Sequence, residues 1–425
     1  PNPALTLPVV EQSHTEMRSV VGGLFYEGEA LPGLAGKYLY ACYFTRRLWA
    51  VSWDGKEAGT PERIASSKFA PVSFARDRRG EVYVVGYDGG ILRLEKREEI
   101  PEFAPFPQAL SETGLFASTG TGQPARGLVP YEINAQAWAG GARRERFFAL
   151  SPRGGQITVQ PRAPRIGVHR WRWPNGSALV QTFFLGKGRG RPVETQVLHK
   201  DEGEWRFLSY RWNEEGSDAS LAADGGEEGL FEIATDKGSR YRAWRFLSRV
   251  ECAACHTQRS FFGLGLNPEQ MNRDFDYHAW GGGISNQLAT LGALGLFDKP
   301  IARAGADLLT LPDPYGENGS LEGRARAYLH VNCATCHRET GLGGRAEFEL
   351  LHWLSLEETG AGEARPLVGL PGGEDVRIIA PGHPERSEIC RRMGASGPGR
   401  MPLLGPVRID RRGLALIEQW VRSLK

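Results

Sequence analysis

Sulfur, long apolar runs and net charge are all scarce in this chain. Among 425 residues there are six Cys and four Met. No apolar run approaches the roughly 18 residues that a membrane-spanning helix needs. The longest candidate, Leu288 to Phe297, is short and interrupted by Gly292 and Gly295. A net charge of +2 supplies no general attraction to nucleic acid, so that partner class is set aside. The sequence opens on Pro1 with neither an initiator Met nor a recognisable signal peptide, so either an export signal has been removed or the sequence is a fragment. No βαβ pattern is visible, which removes the usual setting of a thioredoxin-type Cys pair.

The length suffices for two to four domains, and the 40% hydrophobic fraction is that of an ordinary soluble protein. Gly (55) and Pro (27) are plentiful, which suits loop-rich β structure with rigid turns.

Four of the six cysteines fall in two copies of Cys-x-x-Cys-His: Cys252-Ala253-Ala254-Cys255-His256 and Cys333-Ala334-Thr335-Cys336-His337. The pattern reads as covalent haem attachment. The cysteines form thioethers to the porphyrin vinyl groups, and the histidine is the proximal iron ligand. Two intervening residues make one helical turn, so both sulfurs meet the macrocycle edge while the imidazole reaches the iron. A zinc ribbon wants its second pair roughly 15–20 residues on. Here the second pair lies far downstream, and each pair is followed directly by His. Two covalently bound haems c are expected, with a periplasmic or otherwise extracytoplasmic location after removal of an export signal. The remaining Cys42 and Cys390 either pair in that oxidising compartment, stapling the two ends of the chain, or stay as two buried thiols.

The spacing of apolar residues predicts a multidomain chain. Residues 1–97 read as all-β, with short runs at Val20-Val21, Leu24–Tyr26, Tyr38–Tyr40, Leu48–Val51, Val82–Val85 and Ile91–Leu94. Turns such as Asp54-Gly55 and Asp88-Gly89-Gly90 separate them, a cadence that fits a partial β-propeller. Residues 98–112 read as a stiff linker, with Pro101, Pro105 and Pro107 close together. Residues 113–248 suggest a β-sandwich or jelly roll, with strands at Arg146–Leu150, Ala178–Leu185, Glu194–His199, Trp205–Trp212 and Tyr241–Phe246. Its charge is segregated: Arg dominates from Arg143 to Arg191, acids from Asp201 to Asp236. The two runs either neutralise each other or form a docking face for a redox partner. From 249 the pattern turns helical. A first haem segment (249–320) and a cytochrome c-like domain (321–425) are expected, with helices from Asn267-Pro268, at Ser285–Phe297, at Leu321–Asn332 and at Asp410–Leu424.

Two stretches carry resemblances. Val20–Tyr26, Leu31–Tyr38 and Gly80–Ile91 resemble the C-terminal blades of the glucose/sorbosone dehydrogenase family. These are propellers that use pyrroloquinoline quinone, and the resemblance covers about two of the expected six blades. The blades that carry that family's catalytic His have no counterpart, so no catalytic residue is carried over. Leu110–Phe116, Leu128–Asn134, Tyr210–Ala219 and Gln270–Asp274 resemble a family of dihaem c-type cytochromes of poorly defined role. That resemblance covers roughly 110–425 and implies two haems and an extracytoplasmic site.

Each iron needs a second ligand if it is to exchange electrons with little rearrangement. For the haem of His337 the favoured candidate is Met401, in a Gly-rich loop with Pro402 that resembles the distal loop of class I cytochromes c, with Met393 as competitor. For the haem of His256 the candidates are Met271, which is preferred, His278, His199, or an open iron. The leading expectation for function is electron transfer between a redox partner, a quinoprotein dehydrogenase among the candidates, and a downstream acceptor. The alternatives are a quinone-dependent sugar or alcohol dehydrogenase with a fused cytochrome, a dihaem peroxidase, and a haem subunit docked in a membrane-associated complex.

Overall fold

The computed structural model describes residues 8–12, 17, 19–43, 45–67, 69–96, 106–152, 154–160, 170–201, 204–235, 238–257, 260–301, 309–339, 341–343, 346–371 and 375–425. The linker expected over 98–112 is described only from 106; its earlier part, with Pro101 and Pro105, lies outside the described residues. The chain forms two compact units. One comprises Pro1–Phe106, Ala223–Gly226 and Leu247–Ala254; the other comprises Pro107–Ala222, Glu227–Phe246 and Cys255–Lys425.

The first unit holds two antiparallel sheets. Strands β1 (Val20–Phe25), β2 (Tyr38–Cys42), β3 (Arg47–Val51) and β4 (Glu62–Ser66) pair in sequence order, as do β5 (Pro71–Arg76), β6 (Val82–Gly86) and β7 (Ile91–Arg93). The register Leu39↔Ala50 and Ala41↔Leu48 puts these four small or branched residues on one face. They pack against Val82 and Val84 of β6. The opposite face of β2 buries Tyr40 and Cys42 with Met17 and Val51. Gly23 marks a bulge in β1 where a Cβ would lie 1.5 Å from the Leu39 carbonyl oxygen, so no larger residue fits. The propeller expectation is corrected here. The four strands and three strands make two small sheets joined face to face, and no closed propeller or barrel is present among the described residues.

The second unit is built on one six-stranded antiparallel sheet. Its strands in chain order are β8 (Phe116–Ser118), β9 (Gln123–Pro124), β10 (Val129–Pro130), β11 (Arg143–Ala149), β12 (Thr158–Gln160), β13 (Arg170–Arg172), β14 (Ala178–Leu185), β15 (Arg191–Asp201), β16 (Glu204–Trp212), β17 (Ala219–Leu221), β18 (Glu227–Thr235), β19 (Gly238–Phe246), β20 (Asp274–Asp276) and β21 (Ile284–Asn286). The large sheet runs β10-β11-β14-β15-β16-β17; the others form two-stranded pairs. Because side chains alternate between faces, register assigns every residue a side. Phe148, Leu179, Leu198 and Phe207 line up on one face, and beside them the polar row Arg146, Gln181, Gln196 and Ser209. The reverse face carries Phe147, Val180, Val197 and Leu208. Phe116 covers part of it, edge-on to Phe147 at 6.5 Å. The hairpin of β18 and β19 brings Phe231, Ile233 and Phe246 onto Phe183, Leu185 and Val193. A sandwich of two full sheets is therefore also corrected: one sheet is covered by a hairpin and by irregular segments.

The helices are α1 (Arg249–Cys255), α2 (Pro268–Met271), α3 (Gln287–Ala293), α4 (Leu321–Asn332), α5 (Glu388–Gly394) and α6 (Arg411–Ser423). Side chains of Asn267, Asn286, Ser320 and Asp410 cap four of them by accepting from backbone N–H groups, as their residue types favour. Ser248 and Glu251 cap α1 reciprocally, at 2.9 and 3.1 Å. On α6, Leu416, Ile417, Trp420 and Val421 form the buried stripe and meet Tyr328 and Leu329 of α4. The helical cytochrome c-like region is nonetheless not seen. Only α4 and α6 exceed seven residues among the described helices, the chain is 31% strand and 17% helix, and the described residues of 333–387 form turns with no α-helix.

The segregated charges are answered locally. Arg143 and Arg189 pair with Glu145, Arg206 with Asp201, Arg211 with Glu227, and Arg245 with Glu228. A buried acid, Glu194, accepts from Ser209 at 2.6 Å, Gln196 at 3.0 Å and the Trp244 indole at 2.8 Å. Burial still raises its pKa, outweighing those bonds. A raised carboxyl pKa means the folded state holds a proton that the unfolded state has released. Its favourable contribution is complete below the unfolded value and is lost as pH rises through the folded one. Glu194→Gln should remove this pH-dependent loss while costing about 1–3 kcal/mol for the disrupted Trp244 bond. Urea denaturation of both proteins across the weakly acidic range checks it; parallel stability curves would count against it.

Candidate functional site

The second Cys-x-x-Cys-His follows directly from α4. The Cys333 amide bonds to the Leu329 carbonyl, and the Cys333 carbonyl then accepts from Cys336 at 3.1 Å and His337 at 2.9 Å. This tight turn carries both thiols and the imidazole. Gly341 and Gly343 close over it. A Cβ at Gly341 would sit 2.2 Å from the Cys336 carbonyl oxygen, and one at Gly343 2.7 Å from His337 Nδ1. The His337 ring stacks on Phe348 at 4.7 Å and 15°. Burial, with the charge of Arg392 behind it, keeps this imidazole below its usual pKa and hence neutral. Gly343→Ala should therefore displace the ring and cost about 1–3 kcal/mol by overpacking. Gly362→Ala, whose Cβ meets nothing within 4 Å, is the control in the same denaturation series.

Arg392 organises the surroundings of His337. Its guanidinium donates to the carbonyls of Val368 and Gly399 and to Glu388. Its own carbonyl accepts from the Met401 amide at 3.1 Å. Met401 is half-buried in this loop, outside the described core clusters. Met393, the competitor, is buried in the core with Trp420 and Leu416 and packs as an ordinary apolar residue. The adjoining segments expose Leu342, Leu367, Val368, Leu403 and Val407.

The first motif lies on α1 and just beyond it. Ala254 is the last residue of the first unit here, and Cys255 and His256 belong to the second. His256 packs against Phe207 on the sheet at 5.6 Å. Its Nδ1 is bonded to the Phe262 carbonyl, which can only accept, so the proton sits on Nδ1 and Nε2 is left with a lone pair. Burial lowers its pKa to about 4, against the opposing effect of that bond, so the ring is neutral at physiological pH. A neutral imidazole with its second nitrogen anchored to a carbonyl is the form that ligates metals.

His256 borders an open cavity. The sheet supplies the floor through Arg144, Arg146, Leu179, Gln181, Gln196 and Leu198. Residues 260–267 with Gln270 supply one wall. The other comes from the second motif and its flanks: His330, Ala334, Thr335 and Arg338, with Trp353. Both motifs thus border one space. Among the described residues three arginines and no carboxylate line it. Burial, and then the neighbouring Arg146, disfavour the charge on Arg144, yet a guanidinium stays protonated at neutral pH. Arg146 is paired with Glu132 at 3.2 Å. Arg144 Nε, Trp171 Nε1, Trp353 Nε1 and His330 Nδ1 are buried without hydrogen-bond partners. Unsatisfied buried polar groups are costly, so this wall chemistry calls for a ligand with acceptors as well as an apolar body. A haem, with two propionates on an apolar macrocycle, fits that donor set.

The other expected ligands are placed elsewhere. Met271 is fully buried in the apolar cluster with Leu266, Leu288 and Leu291, while its neighbour Gln270 reaches the cavity. His278 is exposed and held to Asp276 at 2.6 Å. His199 pairs with Ala178 and Arg206, so it points to the sheet face opposite Leu198 and the cavity. Cys42 and Cys390 are not disulfide-bonded. Each is buried in its own unit, and burial pushes the Cys390 thiol up to about 12. His330 carries no motif, and the sequence reading missed it; its one signal is its place three residues before Cys333.

The four stretches that carried the cytochrome resemblance meet in pairs. Asn134 donates its amide to the Gln270 carbonyl at 2.8 Å, and the Gln270 side chain clasps the Ala135 backbone at 2.7 and 2.9 Å. Ser111 bonds Asp218 at 2.6 Å. The first pair forms cavity wall. No protein-family model, curated protein or solved structure matches this chain. Among the described residues no helix is long and apolar enough to cross a membrane, and no three His, Cys, Asp or Glu side chains group to hold a bare metal ion.

Proposed function

We propose that this chain is an extracytoplasmic electron-transfer protein carrying two covalent haems c, one on Cys252, Cys255 and His256, the other on Cys333, Cys336 and His337. The observation that carries the reading is the anchoring of His256 Nδ1 by the Phe262 carbonyl beside a cavity lined with unpartnered donors. When bound, each haem supplies a one-electron couple whose potential depends on its axial ligands and burial. The chain's residues do the rest. His256 and His337 present neutral imidazoles held by Phe262 on one side and Phe348 and Gly343 on the other. Arg144 and Arg146 would neutralise the haem carboxylates, Trp353 would donate to them, and Leu179, Leu198, Ile133 and Tyr131 would keep water out. Met401 would supply the second ligand of the haem held by His337. A redox protein is the expected partner.

The test is production in a bacterial periplasm with the c-type maturation machinery, followed by intact mass measurement. The expected mass is that of the chain plus two haems. A chain that matures at its native fold without gaining haem overturns the reading.

A further inference from the structure

We propose that His330 is the second axial ligand of the haem attached through Cys252 and Cys255, opposite His256. This rests on the covalent-haem reading and adds to it a ligand that no motif marks. His256 and His330 both border the one cavity, on walls built by different segments. Among the described residues no other histidine and no methionine lines it. His330 lies in the last turn of α4, and Ala334, Thr335 and Arg338 of the turn that follows the helix line the same cavity.

The His330 ring is held ready. His352 packs edge-on at 4.7 Å and Trp353 at 5.4 Å, which fixes the imidazole plane. Its Nδ1 is buried with no hydrogen-bond partner. An imidazole left unsatisfied in this way is costly, and coordination to a metal would give the ring a strong partner while the other nitrogen serves as donor. The competing residues are removed by position: Met271 is core, His278 is exposed on Asp276, and His199 is on the wrong sheet face. Since His330, Ala334 and Thr335 belong to the second motif's own segment, the proposal also makes that segment a ligand-bearing wall of the first haem's site.

The experiment uses the full-length holoprotein. Electron paramagnetic resonance and near-infrared magnetic circular dichroism of the oxidised protein should resolve one haem with two histidine ligands. In His330→Ala that signature should disappear, a high-spin haem should replace it, and the reduced protein should bind one carbon monoxide per chain. Added imidazole should restore the low-spin spectrum. His330→Met, which keeps the wall filled if the alanine variant does not fold, should convert the same haem to a histidine–methionine spectrum. Met271→Leu and His278→Ala should leave the wild-type spectrum unchanged. Retention of the bis-histidine signature in both His330 variants, or its loss in His278→Ala, overturns the proposal. Haem content is measured in every sample. Two covalent haems with an unaltered His330→Ala spectrum refute the ligand alone, whereas a wild-type chain without covalent haem refutes the functional reading and the ligand with it.

Discussion

Replacing Cys333 and Cys336 together by alanine is expected to remove one covalent haem and leave the other. Both thiols lie on the single turn closed by the Cys333 carbonyl. Without them nothing on that turn can form a thioether, and His337 alone holds a haem only reversibly. Intact mass should fall by one haem, and the haem absorbance per chain should fall to half. The cavity beside His256 is lined by Ala334 and Thr335 but by neither of these cysteines. The remaining haem should therefore keep its spectrum. Loss of both haems in a folded variant would show that the two sites do not mature separately. Retention of both would show that Cys333 and Cys336 are not attachment residues.

Trp420→Ala should cost about 3–5 kcal/mol, the range for emptying a large aromatic site. Trp420 is 1% exposed and lies where α6 crosses α4, among Tyr328, Leu416, Ile417 and Val421. The crossing is close: a Cβ on Gly413 would meet the Tyr328 ring at 2.3 Å. Neighbours on two helices cannot collapse into the hole without moving that contact. The indole Nε1 has no hydrogen-bond partner. Trp420→Phe should therefore cost much less, because it removes an unsatisfied donor while keeping most of the ring. Urea denaturation of the three proteins separates packing from polarity. Equal losses in the two variants would contradict the packing account.

The elements were more legible than their assembly. Leu321–Asn332 forms α4 over the expected range, and Asp410 caps α6 as its position ahead of an apolar stripe implies. Ala178–Leu185 is a strand over its expected length. These signals are local. The pairing of β11 with β14 skips a hairpin, and only that register puts Arg146, Gln181 and Gln196 in one row on the cavity face. The β18 strand was missed because Glu227–Thr235 interleaves acids with its apolar residues; its inward Phe231 and Ile233 are legible only beside Phe183 and Leu185. The propeller expectation failed for a similar reason. Strand cadence does not show whether successive sheets close a ring or fold onto each other through Leu39, Ala50 and Val82.

At the site, the Cys-x-x-Cys-His spacing marked where to look but not what surrounds it. The Phe262 carbonyl that fixes His256, the glycines over His337 and the unpartnered Arg144 Nε and Trp353 Nε1 are placed by chain folding, not by spacing. Met271 illustrates the opposite error. Its closeness in sequence to His256 suggested a ligand, whereas the helix turn that begins at Pro268 buries it among leucines.

The most direct test of the account is haem quantification, by the pyridine haemochrome spectrum, before and after acid–acetone extraction of protein matured outside the cytoplasm. Two haems per chain that stay with the protein through extraction are the expected result. A chain whose haem is extracted, or that contains none, would contradict it.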